Sequence, residues 1–168
     1  MPKITALNHV AVVVEDMEKS LSFWRDALGI ELHELRDVPA EQSQVAFLPV
    51  AGAEVELVMP TTADSGIAKY LAKRGQGMHH LCLEVDDIDG MMSQLKAKNI
   101  RLINEEPRSA ANGKRYAFIH PESTGGVLVE LYPVLMAGEQ ACKRKLPLAA
   151  SINSGSTLNK LPPKQFTL

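Results

Sequence analysis

Four polar residues, His9, Glu56, His80 and Glu130, stand inside runs of the chain that are otherwise apolar. Glutamate is rarely buried unless it is paired or bound to a metal. Singly, each of the four has an ordinary explanation: a strand glutamate on a solvated face, or a histidine hydrogen-bonded near a strand start. Their arrangement points further, because they come as two matched pairs. Leu7-Asn8-His9-Val10-Ala11-Val12 has a counterpart in Met78-His79-His80-Leu81-Cys82-Leu83, and each histidine is followed seven residues later by an aspartate, Asp16 or Asp87. Val55-Glu56-Leu57 has its counterpart in Val129-Glu130-Leu131. Two imidazoles and two carboxylates make a coordination sphere for a divalent cation. A set without thiolate suits Mn, Co, Ni, Zn or Fe and does not select among them.

The elements that must position these groups follow from the same repeat. Its spacing is longer than the roughly 20–50 residues of solenoid units, so it reads as a duplicated half-domain with one histidine of each half at the pseudo-symmetric seam. Residues 10–14 are an apolar run, β-branched except at Ala11, and predict a buried strand. Asp16 is a candidate N-cap for a helix with Leu21, Phe23, Trp24 and Leu28 on its apolar face, ended by Gly29. A second strand is expected over 30–35, a loop over 38–44, and two strands over 45–50 and 55–59 around Ala51-Gly52-Ala53. A linker over 61–77 carries a short helix, 67–73, capped by Asp64 or Ser65. The second half repeats the order, with a strand over 81–85, a cap at Asp87, a helix over 88–98, and strands over 100–104, 115–120 and 127–131. His79, next to His80 in a strand, is expected to point to the opposite face. The expected fold class is α+β: tandem βαβββ modules forming a curled mixed sheet around a metal site. Residues 4–133 form one domain, with halves at about 4–60 and 78–133. Residues 134–168 read as a C-terminal tail, polar over 151–160 and closed to helix at Leu161-Pro162-Pro163.

Composition sets the outer limits. A chain of 168 residues suits one compact unit. A hydrophobic share of 45% and a net charge of -2 describe an ordinary soluble globular protein with no electrostatic case for nucleic acid. No apolar run approaches the roughly 18 residues of a membrane span. Residues 1–6 lead directly into the first strand, without a signal-peptide core or a transit-peptide pattern. Only two cysteines occur, Cys82 and Cys142, and Cys82 within its apolar run reads as a buried inert thiol. A reducing cytoplasm is the expected location.

The motifs together resemble the vicinal-oxygen-chelate superfamily, over about residues 4–133, and within it the methylmalonyl-CoA epimerase family. The His-Glu halves are shared across the superfamily. Asp64-Ser65-Gly66-Ile67-Ala68-Lys69, Asn104-Glu105-Glu106-Pro107 and Gly125-Gly126-Val127-Leu128-Val129-Glu130-Leu131 are closer to the epimerases. The resemblance implies that His9, Glu56, His80 and Glu130 are the ligands of a divalent metal such as Co, Mn, Zn or Ni. It further implies an acyl-CoA substrate and a homodimer.

Epimerisation at C2 of a malonyl thioester requires loss of a carbon-bound proton beside a carbonyl. The enediolate that results needs charge stabilisation, which a chelated metal supplies. A carboxylate takes the proton on one face and an acid returns it on the other. The resemblance assigns these tasks to Glu130 and to a second carboxylate before Phe47. The position nearest by alignment holds Gln44, a poor base, and Glu41, Glu54 and Glu56 remain as candidates. Glyoxalase I also combines two His and two Glu with a metal and is the runner-up. An extradiol dioxygenase would leave Glu56 without a role. A drug-sequestering resistance protein of the same fold would need none of the four residues.

Overall fold

The computed structural model describes residues 1–109 and 113–134; the expected tail at 135–168 lies outside the described residues. Strands β1 (Ile4–Val13), β2 (Glu34–Val38), β3 (Ser43–Val50) and β4 (Ala53–Pro60) belong to the first half. Strands β5 (Gly77–Val85), β6 (Arg108–Ser109), β7 (Arg115–Ile119) and β8 (Leu128–Pro133) belong to the second. Helix α1 (Met17–Leu21) runs on as a π-helical turn over Ser22–Ala27, α2 (Gly66–Arg74) links the halves, and α3 (Ile88–Ala97) repeats α1. The eight strands form one open, curled mixed sheet in the order β2-β3-β4-β1-β5-β8-β7-β6. β1 and β4 are parallel, as are β5 and β8, and the halves meet where β1 runs antiparallel to β5. Each half therefore contributes its first strand to the centre.

Both helix starts are capped as their sequence predicts. The Asp16 carboxylate accepts from the Lys19 amide at 3.0 Å, and the Asp87 carboxylate accepts from the Gly90 amide at 2.9 Å. Ser65 rather than Asp64 caps α2, its hydroxyl accepting from the Ala68 amide. Helices α1 and α3 cover one face of the sheet, while Ile67 of α2 packs with Ala11, Val45 and Val58 on the other. Met17 and Leu21 pack on Ala46, Leu48 and Leu57, with Trp24 against them. Ile88, Met91 and Met92 pack on Ala117, Val129 and Leu131. Leu21, Leu48, Leu57 and Leu131 are fully buried, and each contributes about 1.5–3 kcal/mol of transfer free energy. Strand alternation then turns His9, Glu56, His80 and Glu130 to the other, concave face.

Two strands lie elsewhere than expected. Residues 30–33 are not part of the strand, whose pairing begins only with the His33 amide on the Phe47 carbonyl, because the end of the π-turn holds the chain back: the Leu28 amide bonds the Phe23 carbonyl, the Ile30 amide bonds that of Trp24, and Gly29 turns at φ 72°. Ile30 and Leu32 pack into the α1 cluster instead, and β2 starts at Glu34. Residues 100–104 make only a single bridge, Leu102 to Ile119. The Asn104 side chain takes the place of a backbone partner, accepting from the Phe118 amide at 2.8 Å.

Candidate metal and proton-transfer site

The concave face brings the sequence candidates together at the seam. In the strand register, Glu54, His9, Cys82, Glu130 and Phe118 lie in one row across β4, β1, β5, β8 and β7. Glu56 and His80 lie in the adjacent row, on either side of Ala11. His9 Nε2 is 2.9 Å from His80 Nε2 and 3.4 Å from Glu130 Oε2, and His80 Nε2 is 3.1 Å from Glu130 Oε2. These three donors converge on one point. Glu56 stands on the other edge of the His9 ring, its Oε1 3.4 Å from His9 Nδ1.

The site contains two irregularities that matched positions in the repeat share. Between Leu7 and His9 the register against β5 shifts by one residue, so Asn8 is an extra residue in β1. Between Ala11 and Val12 it shifts again, and the extra residue is His79 in β5. A bulge re-aims the side chains around it. Here each bulged residue immediately precedes a histidine of the site and contacts its Nδ1: Asn8 Oδ1 is 2.9 Å from His9 Nδ1, and His79 Nδ1 is 2.9 Å from His80 Nδ1. His79 therefore does not turn away from His80 as a regular strand would require. Its ring also meets the edge of Tyr70 on α2, and Tyr70 donates to the Met78 carbonyl at 2.8 Å.

Electrostatics separate the carboxylates. Burial raises Glu130, but hydrogen bonds and charge from His80 and His9 outweigh it and bring its carboxyl down to about 2. Burial pushes Glu56 up, against the pull of His9. His79 is pushed down to about 4 by burial and then by His80. Cys82 is fully buried, and burial, together with the charge of Glu130 and a hydrogen bond to it, holds its thiol protonated. His9, Cys82 and Glu130 present potential ligand atoms within 4.8 Å of one another. The donor set suits a divalent cation. Two imidazole nitrogens and a carboxylate oxygen converge, and that carboxylate is held ionised despite burial, as a ligand must be.

Glu41 is one of the carboxylates that the sequence leaves open as the second acid/base. It ends a 3₁₀ turn, Pro39–Glu41, inside the region expected to be a loop. Pro39 pre-sets the turn, Gln42 closes it at φ 50°, and the Thr61 amide ties the Gln42 carbonyl to the end of β4. Burial is the larger cause raising the Glu41 carboxyl and the charge of Glu130 the next, while His80 and His9 pull it down. Its carboxyl thus feels the charges of Glu130, His80 and His9. Gln44 is turned to the opposite side of the sheet: it shares the face of Ala46 and Leu48, and its amide donates to Asp37 at 2.9 Å.

Comparison with known proteins is consistent with this geometry. The model of the Glyoxalase/Bleomycin resistance protein/Dioxygenase superfamily matches residues 8–118. Over 130 residues the chain is 44% identical to the mitochondrial methylmalonyl-CoA epimerase of Mus musculus, covering 77% of this chain and 73% of that protein. The methylmalonyl-CoA epimerase of Mycobacterium tuberculosis superposes with a TM-score of 0.71 at 33% identity, over 83% of this chain and 93% of that one. A methylmalonyl-CoA epimerase solved in complex with methylmalonyl-CoA and NH4+ gives a TM-score of 0.69 at 28% identity, over 78% and 95% of the two chains.

Proposed function

The chain belongs to the glyoxalase/bleomycin resistance protein/dioxygenase superfamily and, within it, to the methylmalonyl-CoA epimerases; from that premise we propose how its own residues carry out epimerisation at C2 of methylmalonyl-CoA. His9, Glu56, His80 and Glu130 hold a divalent cation on the concave face. When bound, such a cation supplies Lewis-acid stabilisation of the negative charge that develops on the substrate oxygens. The convergence of His9 Nε2, His80 Nε2 and Glu130 Oε2 within 3.4 Å carries this reading.

Glu41 and Glu130 exchange the C2 proton. One carboxylate removes it as the C–H bond breaks, and the electron pair moves into the enediolate. The other residue, as the acid, returns a proton to the opposite face, so the two carboxyls swap protonation states in each turnover. Environments that push two carboxyls apart, Glu41 up and Glu130 down, are the pattern that acid/base partners show. Incubating either epimer of methylmalonyl-CoA in D2O is expected to place deuterium at C2 of the product. Absence of exchange from any malonyl thioester, with isomerisation of the methylglyoxal–glutathione adduct instead, would replace this reading with a glyoxalase.

A homodimer is part of the same proposal. β2 and β6 leave the sheet with two edges, and Ile4, Leu7 and Met78 on the central strands stay exposed. Sedimentation is expected to give twice the chain mass at micromolar concentration, and a monomer there would reject the dimer. Among the described residues no helix is long and apolar enough to cross a membrane.

A further inference from the structure

We infer that Asn8 and Glu84 act together as positioning residues that place the proton of the His9 imidazole on Nδ1 and so present Nε2, with its lone pair, to the cation. The inference rests on the reading of His9 as a ligand through Nε2. It follows from a chain of donors and acceptors in which each step has one sense. The Glu84 carboxylate only accepts, so the group facing it at 2.7 Å is the Asn8 amide nitrogen, which donates to it. The amide is thereby oriented with its oxygen toward His9 Nδ1, at 2.9 Å. An amide oxygen only accepts, so Nδ1 carries the hydrogen, and in the neutral ring Nε2 is then bare. Glu130 Oε2 would ask for a hydrogen on Nε2 instead, but at 3.4 Å it lies farther from the ring than the Asn8 oxygen does, and His80 Nε2, at 3.1 Å, is its nearer partner. Asn8 is buried, which removes the water that could otherwise satisfy either partner.

The backbone explains how this relay is possible. On a regular strand Asn8 and His9 would point to opposite faces. The bulge at Asn8 leaves it unpaired with β5, and its side chain reaches both the His9 ring and Glu84, 76 residues away on β5. Glu56 is a second acceptor near His9 Nδ1, but at 3.4 Å it is farther than Asn8, and it is itself a proposed ligand. The second half has no such device: His79 faces His80 Nδ1, and an imidazole nitrogen can donate or accept.

The test is nitrogen NMR of the histidine rings in the metal-free chain, at a pH well above the ordinary histidine value of about 6.5, paired with Co2+ titration against a competing chelator. In the wild type, His9 is expected to carry its hydrogen on Nδ1. In Asn8→Ala that preference should be lost, and Co2+ affinity should fall about 10–100-fold, the usual consequence of removing a partner behind a metal-ligating histidine. Glu84→Ala should act in the same direction, whereas Glu84→Gln keeps an acceptor oxygen and should recover most of the affinity. That Gln/Ala contrast decides the matter if Asn8→Ala does not fold. A wild-type hydrogen on Nε2 of His9 would overturn the inference. So would folded Asn8→Ala and Glu84→Ala variants with unchanged tautomer and affinity. A wild-type hydrogen on Nδ1 without any Co2+ binding would reject the cation reading and uphold the hydrogen-bond relay.

Discussion

Glu41→Gln is expected to lower kcat for epimerisation by about 10²–10⁴-fold, the range typical of a lost general acid or base, with bound metal unchanged. The amide keeps the shape of the side chain and the 3₁₀ turn that carries it but cannot take a proton. Metal content should hold because Glu41 is outside the proposed ligand set. A second signature separates this role from simple substrate binding. With Glu130 still in place, one epimer should continue to exchange its C2 proton in D2O without inverting, while the other becomes inert. A variant within a few-fold of wild-type kcat, or one that loses exchange equally from both epimers while only KM rises, would remove Glu41 from proton transfer.

His80→Ala should release most of the bound metal and lower activity by about 10³-fold, since several kcal/mol of charge stabilisation goes with the cation and each 1.36 kcal/mol is tenfold in rate. His80 is the expected hub because its Nε2 is the closest neighbour of both His9 Nε2 and Glu130 Oε2. Removing one of three converging donors leaves an incomplete sphere beside a buried carboxylate. Chelation of the wild type should produce the same loss, and excess divalent cation should restore the wild type far more than the variant. Elemental analysis that finds full metal occupancy in His80→Ala would take His80 out of the ligand set.

The repeat made part of this site legible before any coordinates. His9 with Asp16 and His80 with Asp87 share one spacing, and a strand followed by a capped helix is a local matter of side-chain volume and one hydrogen bond. Alternation along β4 and β8 likewise separates Glu56 from Leu57 and Glu130 from Leu131 with no knowledge of their neighbours. The same local rule failed at His79, because a bulge is created by the pairing of two strands, and neither strand alone carries its signature.

Glu41 and the Asn8–Glu84 pair belonged to tertiary structure for a related reason. Glu41 lies in a polar stretch with Pro39, and nothing within that stretch says that its carboxyl meets the field of Glu130, His80 and His9. Only the curl of the sheet, with the Thr61 amide at the end of β4 holding the Gln42 carbonyl, places it there. The Asn8 amide acquires a defined sense only once Glu84 of the other half stands 2.7 Å away. Residue type and period thus determined which groups share a face, since both act over a few bonds of chain. Which atoms of those groups meet, and which nitrogen of His9 keeps its hydrogen, was decided by contacts between β1 and β5, whose register no local propensity sets.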